Sequence, residues 1–492
     1  MKSITSVGIS GMSAFVPPYR VSLESWCTWT GNSWDKTRAV IGRSFRLTGP
    51  EHSVYTMAAN AALKLILDHR IDPRRVGYLA VGTESGTDNA TSAAVVVRGL
   101  LDEALAARRM PSLARDIEVP EFKQACLGGM YGIKGALRYL SSDGVGRQAI
   151  VVAADIAEYA LGSSGEPTQG AGSVAMLLEA EPRLLAIDLH GGASASAYRA
   201  FDFRKPFLRY CHQNPGRDGR PRDFPVFNGK YSTACYIDAT LSSLNHFFAK
   251  RGGTRADHLR QLGAVFMHRP YHRMPAAAWT LGYLFALGAD GGAGHDELAL
   301  YCSACGVDID DVLAEMCSSP DLTRRALSGE LVDDPFPLTA RLVKPFKETD
   351  SYREVVDQKM RLGSSVAKDL GNLYCASLPA WLAAGLEEAA ISGTALDRQD
   401  ILLIGYGSGD ASEVLPAQVV PDWQAAASRI QMHAALEGAV DVTREQYEAL
   451  HEGLECDAQS APPRSGFVVH RIGDSDAPHF QDRGVEYYRY CG

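Results

Sequence analysis

Cys126 lies in the run Val119-Pro-Glu-Phe-Lys-Gln-Ala-Cys-Leu-Gly-Gly-Met-Tyr-Gly-Ile-Lys-Gly-Ala-Leu137, where two glycines follow it and an apolar helical pattern (Met130, Ile133, Leu137) comes next. A cysteine on the turn that opens a helix meets the positive end of the helix dipole and unpaired first-turn N–H groups. Both favour thiolate, and the thiolate is the nucleophile. The glycines let a substrate approach backbone that a Cβ would shield. Nucleophilic catalysis by sulfur is the chemistry this setting predicts. The plainer alternative is a core position, since free cysteine is among the most buried residue types. Two other spacings look like metal ligands. His268 and His272 are four apart, but Pro270 between them argues against a shared helix face. Cys302-Ser-Ala-Cys305 lacks a second pair at zinc spacing and reads as incidental. No metal site is expected.

The elements that would position Cys126 alternate between short β-rich runs and helical stretches, which predicts an α/β layered fold. Strands are expected at 77–81, 148–154, 262–267 and 401–404, ending at Glu84, Asp155, His268 and the Gly405–Gly409 turn. Helices are expected at 54–69, 91–107, 234–251, 352–369 and 378–390. The two halves echo each other. The strand ending at Glu84 parallels the strand ending at His268, and the Cys126 turn and its helix parallel Gly371–Leu386. Residues 147–155 parallel 399–407. Three matched segments in one order suggest a duplicated fold. Duplication would bring Cys126, Glu84, His268 and Asn372 to one side of the molecule, where open α/β sheets bind ligands. The expected division is 1–245 as the first half, 246–420 as the second with an insertion at about 274–351, and 421–492 as a C-terminal extension. That extension reads as an amphipathic helix at 422–450, a linker at 459–463 and a strand-turn-strand tail turning near Asp474.

Composition narrows the classes. The chain has 492 residues, 46% of them hydrophobic, and a net charge of -9 with a pI near 5.8. This acidic balance gives no reason to expect nucleic acid or an anionic membrane as partner. Its ten cysteines have no framework spacing. The N-terminal stretch lacks a signal-peptide pattern, and no apolar run reaches membrane-spanning length. A reduced, cytoplasmic protein is expected.

Nine short motifs then fall in order: Val81-Gly-Thr-Glu84, Gln124-Ala-Cys-Leu-Gly-Gly129, Val152-Ala-Ala-Asp-Ile-Ala-Glu-Tyr-Ala160, Glu166-Pro-Thr-Gln-Gly-Ala-Gly-Ser-Val-Ala-Met176, Phe201-Asp-Phe-Arg-Lys-Pro206, Phe224-Pro-Val-Phe-Asn-Gly-Lys-Tyr-Ser232, His268-Arg-Pro-Tyr271, Gly371-Asn-Leu-Tyr-Cys-Ala-Ser377 and Tyr406-Gly-Ser-Gly409. From about Ser6 to about Glu413 the chain resembles the hydroxymethylglutaryl-CoA synthase family of thiolase-fold condensing enzymes. The resemblance implies a layered αβαβα fold of two duplicated halves with a small C-terminal extension, in a homodimer. It also implies condensation of acetyl-CoA with acetoacetyl-CoA. Both CoA thioesters are substrates, so no cofactor is expected.

Residue by residue, the resemblance implies that Cys126 carries the acetyl group, splitting the reaction into acylation, condensation and hydrolysis. Glu84 would take a proton from the acetyl methyl group, with burial raising its pKa toward the working range; a solvated loop carboxylate is the plainer reading. Backbone N–H groups of Cys126 and of the Tyr406–Gly409 turn, with Gly407 and Ser408, would stabilise charge on oxygen. His268 would polarise the acetoacetyl ketone, and Asn372 would hold the same oxygen; capping roles stand beside both. Asp155 and Asp202 match aspartates that orient catalytic groups, and a structural turn role fits them nearly as well. Arg273 would face the CoA phosphates, with Lys205 and Arg204 adding charge. Thr168 and Tyr374 complete the implied substrate contacts.

The chain departs from the family at Leu127 (usually tyrosine), Arg269 (often serine), Asn228 (usually aspartate) and Cys375 (often threonine). Leu127 and Arg269 are expected to flank the acyl site and alter substrate choice. Three rival readings remain at this point. One is a relative acting on an acyl carrier protein in polyketide β-branching, against which Arg273 argues. Another is a ketoacyl synthase III-like enzyme, which needs no Glu84. The last is a catalytically idle acyl-CoA binding scaffold.

Overall fold

The computed structural model describes residues 6–207, 224–330, 334–454 and 466–492. Each half builds the same unit. In the first, strand Val76–Gly82 runs parallel to Gln148–Ala157 with helix Gly128–Ser141 between them in sequence, and Gln148–Ala157 pairs antiparallel with Gly170–Ala180. In the second, Ala264–Met267 runs parallel to Asp400–Gly407 with helix Ser377–Ser392 before it, and Asp400–Gly407 pairs antiparallel with Ala411–Val419. Parallel neighbours need a crossover, and a helix supplies it. Leu185–Ile187 pairs with both Val7–Phe15 and Ala411–Val419, which joins the halves in one ten-stranded sheet.

The strands are apolar on both faces because both are covered. Along Gln148–Ala157, Ile150, Val152 and Ala154 share a core with the helices Val54–Asp68 and Ala93–Ala107. Ala149, Val151 and Ala153 face the other way, into a core shared with Gly128–Ser141. The strand's alternation thus sorts its residues between an outer helical layer and the helix that follows Cys126. Cys126, Glu84, His268 and Asn372 all follow strand ends or precede helices at the same side of this sheet.

The structure departs from several expectations. Residues 352–369 are not one helix: helical turns at Asp350–Tyr352, Arg353–Gln358 and Ser364–Ala367 are interrupted at Gly363, whose φ is +68°. A Cβ there would lie 2.4 Å from the Gly385 nitrogen, so the chain breaks where it crosses helix Ser377–Ser392. The helix expected from residue 234 begins at Gly229 and runs to Phe248, through the expected boundary at 245. Residues 422–450 form three short helices, Gln424–Ala427, Met432–Leu436 and Arg444–His451, with strand Val440–Asp441 between the last two. That strand pairs with Tyr19–Ser22 in the first half, which straight helix would prevent. The tail pairs Gly466–Ile472 with Glu486–Cys491 against the outer helices, and the expected linker at 459–463 lies outside the described residues. Among the described residues, no helix is long and apolar enough to cross a membrane.

Candidate active site

Cys126 stands immediately before Leu127, the N-cap of helix Gly128–Ser141. Ala125 before it adopts φ +43°, a left-handed conformation that costs a non-glycine residue energy and turns the chain sharply into the helix. Two close approaches clamp this turn. A Cβ on Gly82 would lie 2.4 Å from the Gly128 backbone, and one on Gly407 would lie 2.2 Å from the Gln124 carbonyl oxygen. The strand ends of both halves therefore press on the nucleophile turn without side chains. Gly407 serves this packing and is not among the cavity walls.

The Cys126 thiol donates to Glu84 Oε1 at 3.1 Å. Burial and the neighbouring Asp155 carboxylate push the Glu84 pKa up to about 8, against a smaller pull from Lys205. The same arrangement corrects the thiolate expected from the helix end. Burial first, and then the Glu84 carboxylate, raise the Cys126 pKa well above that of a free thiol. Resting Cys126 is a thiol, and Glu84 is the group placed to take its proton.

Asp155 is fully buried and holds Glu84 in place. Its Oδ1 accepts from Thr83 Oγ1 (2.8 Å), the Glu84 N–H (2.9 Å) and Ser85 Oγ (2.7 Å), and its Oδ2 accepts from the Cys375 N–H (2.8 Å). It clasps the base loop of one half to the duplicated turn of the other and does not line the cavity. Cys375, which occupies the threonine position, donates its thiol to the Ala125 carbonyl oxygen at 3.0 Å. The substituted sulfur thus supports the strained turn. Asp155→Asn is expected to place an amide donor against the Cys375 N–H and to cost about 1–3 kcal/mol of stability. Removing the Asp155 charge also lowers the Glu84 pKa, so the acid limb of the activity profile moves to lower pH. Thermal unfolding and a pH–rate profile measure the two effects separately.

His268, Asn372, Tyr374 and Ser408 join Cys126 around a cavity of about 340 Å³. Burial drives the His268 pKa down to about 3, which leaves the ring a neutral imidazole. Its ring is stacked near Tyr406 and its carbonyl oxygen accepts from Tyr236 Oη at 2.8 Å. Asn372 Oδ1 accepts from the Tyr374 N–H and Ser377 Oγ, both at 2.9 Å. The Nδ2 amide is what remains for the cavity. Asp202 is buried and accepts from Tyr406 Oη (2.7 Å) and the Gly409 N–H (3.0 Å). It orients the turn, and the Gly409 N–H is already engaged there rather than free for an oxyanion.

Thr168 lines the cavity and donates its hydroxyl to the Gly165 carbonyl oxygen. Lys205 donates to the Glu84 carbonyl oxygen at 3.2 Å, and its charge favours the ionised form of the Glu84 carboxyl. Arg273 is exposed at the N-cap of helix Met274–Asp290; it does not line the cavity, though Tyr271 and Met274 near it in sequence do. The expectation that Leu127 and Arg269 flank the acyl site fails. Leu127 is fully buried against Gly405 and Gly407, and Arg269 turns away over Trp381, toward His272 Nδ1 (2.7 Å) and Ser364. Neither side chain is a cavity wall.

Of the aromatic wall, sequence reasoning named only Tyr374 and missed its three partners. Tyr159, Phe203, Phe227 and Tyr374 meet edge-to-face beside Cys126. All four lie in motifs quoted above, but in four separate ones, and nothing in those runs says that they meet. It also missed Tyr55, whose hydroxyl accepts from the Thr87 and Asp88 N–H groups and steadies the loop that follows Glu84. Among the described residues, no group of three or more His, Cys, Asp or Glu side chains could hold a metal ion.

Two family models match the chain: hydroxymethylglutaryl-coenzyme A synthase N terminal over residues 4–182, and its C terminal counterpart over residues 342–460. The chain is 26% identical to the hydroxymethylglutaryl-CoA synthase of Enterococcus faecalis, over 92% of this chain and 93% of that one. It is 25% identical to the Haloferax volcanii hydroxymethylglutaryl-CoA synthase, over 91% and 92% respectively. A solved structure of MvaS in complex with 3-hydroxy-3-methylglutaryl coenzyme A superposes with a TM-score of 0.76 at 27% identity, covering 100% of both chains. The curacin biosynthetic pathway HMG synthase with its holo donor-ACP shares the fold, with a TM-score of 0.69 at 19% identity, over 99% of this chain and 100% of that one.

Proposed function

The chain belongs to the hydroxymethylglutaryl-CoA synthase family, and we propose that it condenses acetyl-CoA with acetoacetyl-CoA to 3-hydroxy-3-methylglutaryl-CoA. The observation that carries this reading is the 3.1 Å contact between Cys126 Sγ and Glu84 Oε1, which couples Glu84, itself not a wall of the cavity, to a cavity lined by Cys126, His268 and Asn372. A decarboxylating condensing enzyme has no need of that carboxylate.

The groups divide the work as follows. Glu84 accepts the thiol proton as Cys126 attacks the acetyl thioester, and CoA leaves as its thiol. Ionised again, Glu84 removes a proton from the methyl group of the acetyl-cysteine. The resulting enolate carbon attacks the ketone of acetoacetyl-CoA, whose oxygen takes a hydrogen bond from neutral His268 and the Asn372 amide. A proton returns to that oxygen, and water cleaves the cysteine thioester to free the product and Cys126. Asp155 and Asp202 position these groups without touching substrate.

We extend the proposal to setting and partners. Each acyl group arrives activated as a thioester, so the chemistry asks for no bound cofactor. The sheet ends at the short strand Glu121–Phe122, just before Cys126, and an open edge of this kind supports homodimer formation there. The eight described cysteines are free thiols, which supports a reducing, cytoplasmic location, and the likeness to hydroxymethylglutaryl-CoA synthases supports a role in isoprenoid precursor supply through mevalonate.

Purified protein given acetyl-CoA and acetoacetyl-CoA should release hydroxymethylglutaryl-CoA, detected by mass spectrometry; turnover only with an acetoacetyl carrier protein would shift the reading to the carrier-dependent branch. The pH profile is a second check. Proton abstraction needs ionised Glu84, and the ionised fraction grows as pH rises through about 8. The condensation rate is therefore expected to climb across that range and level off above it. A rate already at its plateau at mildly acidic pH would show that Glu84 is not the base.

A further inference from the structure

One wall of the cavity is carried by residues 159–168, which include Tyr159, Ser164, Gly165 and Thr168. This segment has little regular structure beyond one turn, Glu166–Thr168, so something else must hold it. The holding groups converge on Glu166, which is 3% exposed. Glu166 Oε1 accepts from Trp26 Nε1 at 3.0 Å and from Tyr447 Oη at 2.9 Å, and its Oε2 accepts from the Gly162 N–H at 2.6 Å. Tyr447 Oη accepts in turn from Gln169 Nε2 at 2.8 Å, and Gln169 Oε1 accepts from the Tyr159 N–H at 2.8 Å. His451 Nε2 donates to the Tyr159 carbonyl oxygen, also at 2.8 Å.

Both backbone polar groups of Tyr159, and the N–H of Gly162, are thus tied through side chains to one short helix, Arg444–His451. That helix belongs to the C-terminal extension, far from the cavity in sequence. None of Trp26, Glu166, Gln169, Tyr447 or His451 lines the cavity. Tyr159 itself packs edge-on against Phe203, Phe227 and Tyr374, and the Thr168 carbonyl oxygen accepts from the Asn372 N–H at 3.0 Å. A shift of the segment would move both the aromatic wall and Asn372. Buried carboxylates are costly unless their lone pairs are filled. A carboxylate filled entirely by these three donors specifies one position for the segment.

We propose that Glu166 is a positioning residue for the condensation, and that helix Arg444–His451 acts through it, by way of Tyr447, to set the cavity wall at Tyr159–Thr168. The role rests on the condensation proposed above, and it gives the C-terminal extension a part in the reaction. Cys126, Glu84 and Asp155 are held by other contacts, so the effect belongs to acceptor binding more than to the acetyl-cysteine step.

Tyr447→Phe tests this, because it deletes only the hydroxyl and keeps the ring between Trp29 and Phe45. Amide exchange of residues 159–168 is expected to quicken about tenfold while the central strands stay protected. The KM for acetoacetyl-CoA is expected to rise about tenfold with kcat within about threefold, and the extent of Cys126 acetylation to stay unchanged. Glu166→Gln, which keeps one acceptor oxygen but turns an amide toward Gly162, should act in the same direction and serves if the first variant folds poorly. Glu445→Ala, on the exposed side of the same helix, should change none of these readings. Unchanged exchange in 159–168 overturns the proposal, and so does faster exchange with an unchanged KM. A wild-type chain that forms no condensation product would sink the proposed function instead, while the exchange measurement still decides whether the helix holds the wall.

Discussion

Cys126→Ala is expected to bring condensation to background, a loss on the order of 10⁴-fold or more, and to abolish the acetyl adduct on the protein. The size of the effect follows from the absence of a substitute at the site. Among the described residues, the neighbouring sulfur is Cys375, the counterpart of Cys126 in the duplicated half, but it is only 2% exposed and its thiol is engaged with the Ala125 carbonyl oxygen. No acyl group can reach it without dismantling the turn. The alanine variant should fold, since the turn is held by Gly82, Gly407 and Cys375 rather than by the Cys126 side chain. Losing the thiol also removes the one hydrogen bond that lowers the Glu84 pKa, so Glu84 should titrate higher in the variant. Intact-protein mass spectrometry after incubation with acetyl-CoA reads the adduct directly. An adduct that persists in Cys126→Ala, mapped to another residue, would overturn the assignment of the nucleophile.

What the sequence made legible and what it hid divide along a physical line. The Cys126 turn was readable because glycines and an apolar helical pattern are local signals. The duplication was readable because strand, turn and helix recur in order, and it placed Glu84, His268 and Asn372 on one side before any contact was known. The hidden parts are the ones made by long-range contacts. The charge state of Cys126 was misjudged because a helix end is local, whereas burial and the Glu84 carboxylate come from the fold. Leu127 and Arg269 adjoin catalytic residues in sequence, yet each side chain points away from the cavity. The clasp from Asp155 to Cys375 spans both halves, and nothing near either residue announces the other. Residues 352–369 failed as a helix because Gly363 must pass close to the backbone of another helix, a demand that periodicity does not encode.

The second large effect is expected from Glu84→Gln, and it should fall unequally on the two halves of the reaction. Condensation loses its base and is expected to drop by about 10³-fold, within the range that general bases contribute. Acetylation has two opposing terms. The glutamine cannot take the thiol proton, which slows attack. It also removes the negative charge that helps hold that proton on Cys126, which makes the thiol easier to ionise. Burial is the larger cause of the raised thiol pKa and remains in the variant, so the first term wins and acetylation should slow by about tenfold. The variant is therefore expected to accumulate acetyl-Cys126 when given acetyl-CoA and to discharge it slowly when acetoacetyl-CoA is added. Rapid-quench mass spectrometry separates the two rates. A loss confined to acetylation would mean that Glu84 acts only by activating the thiol, and the carbon acid would then need a different base. Unchanged rates in both steps would remove Glu84 from the chemistry altogether. A large loss in condensation beside the smaller one in acetylation would leave Glu84 with both proton transfers, a double use consistent with its position against Cys126 and its pKa of about 8.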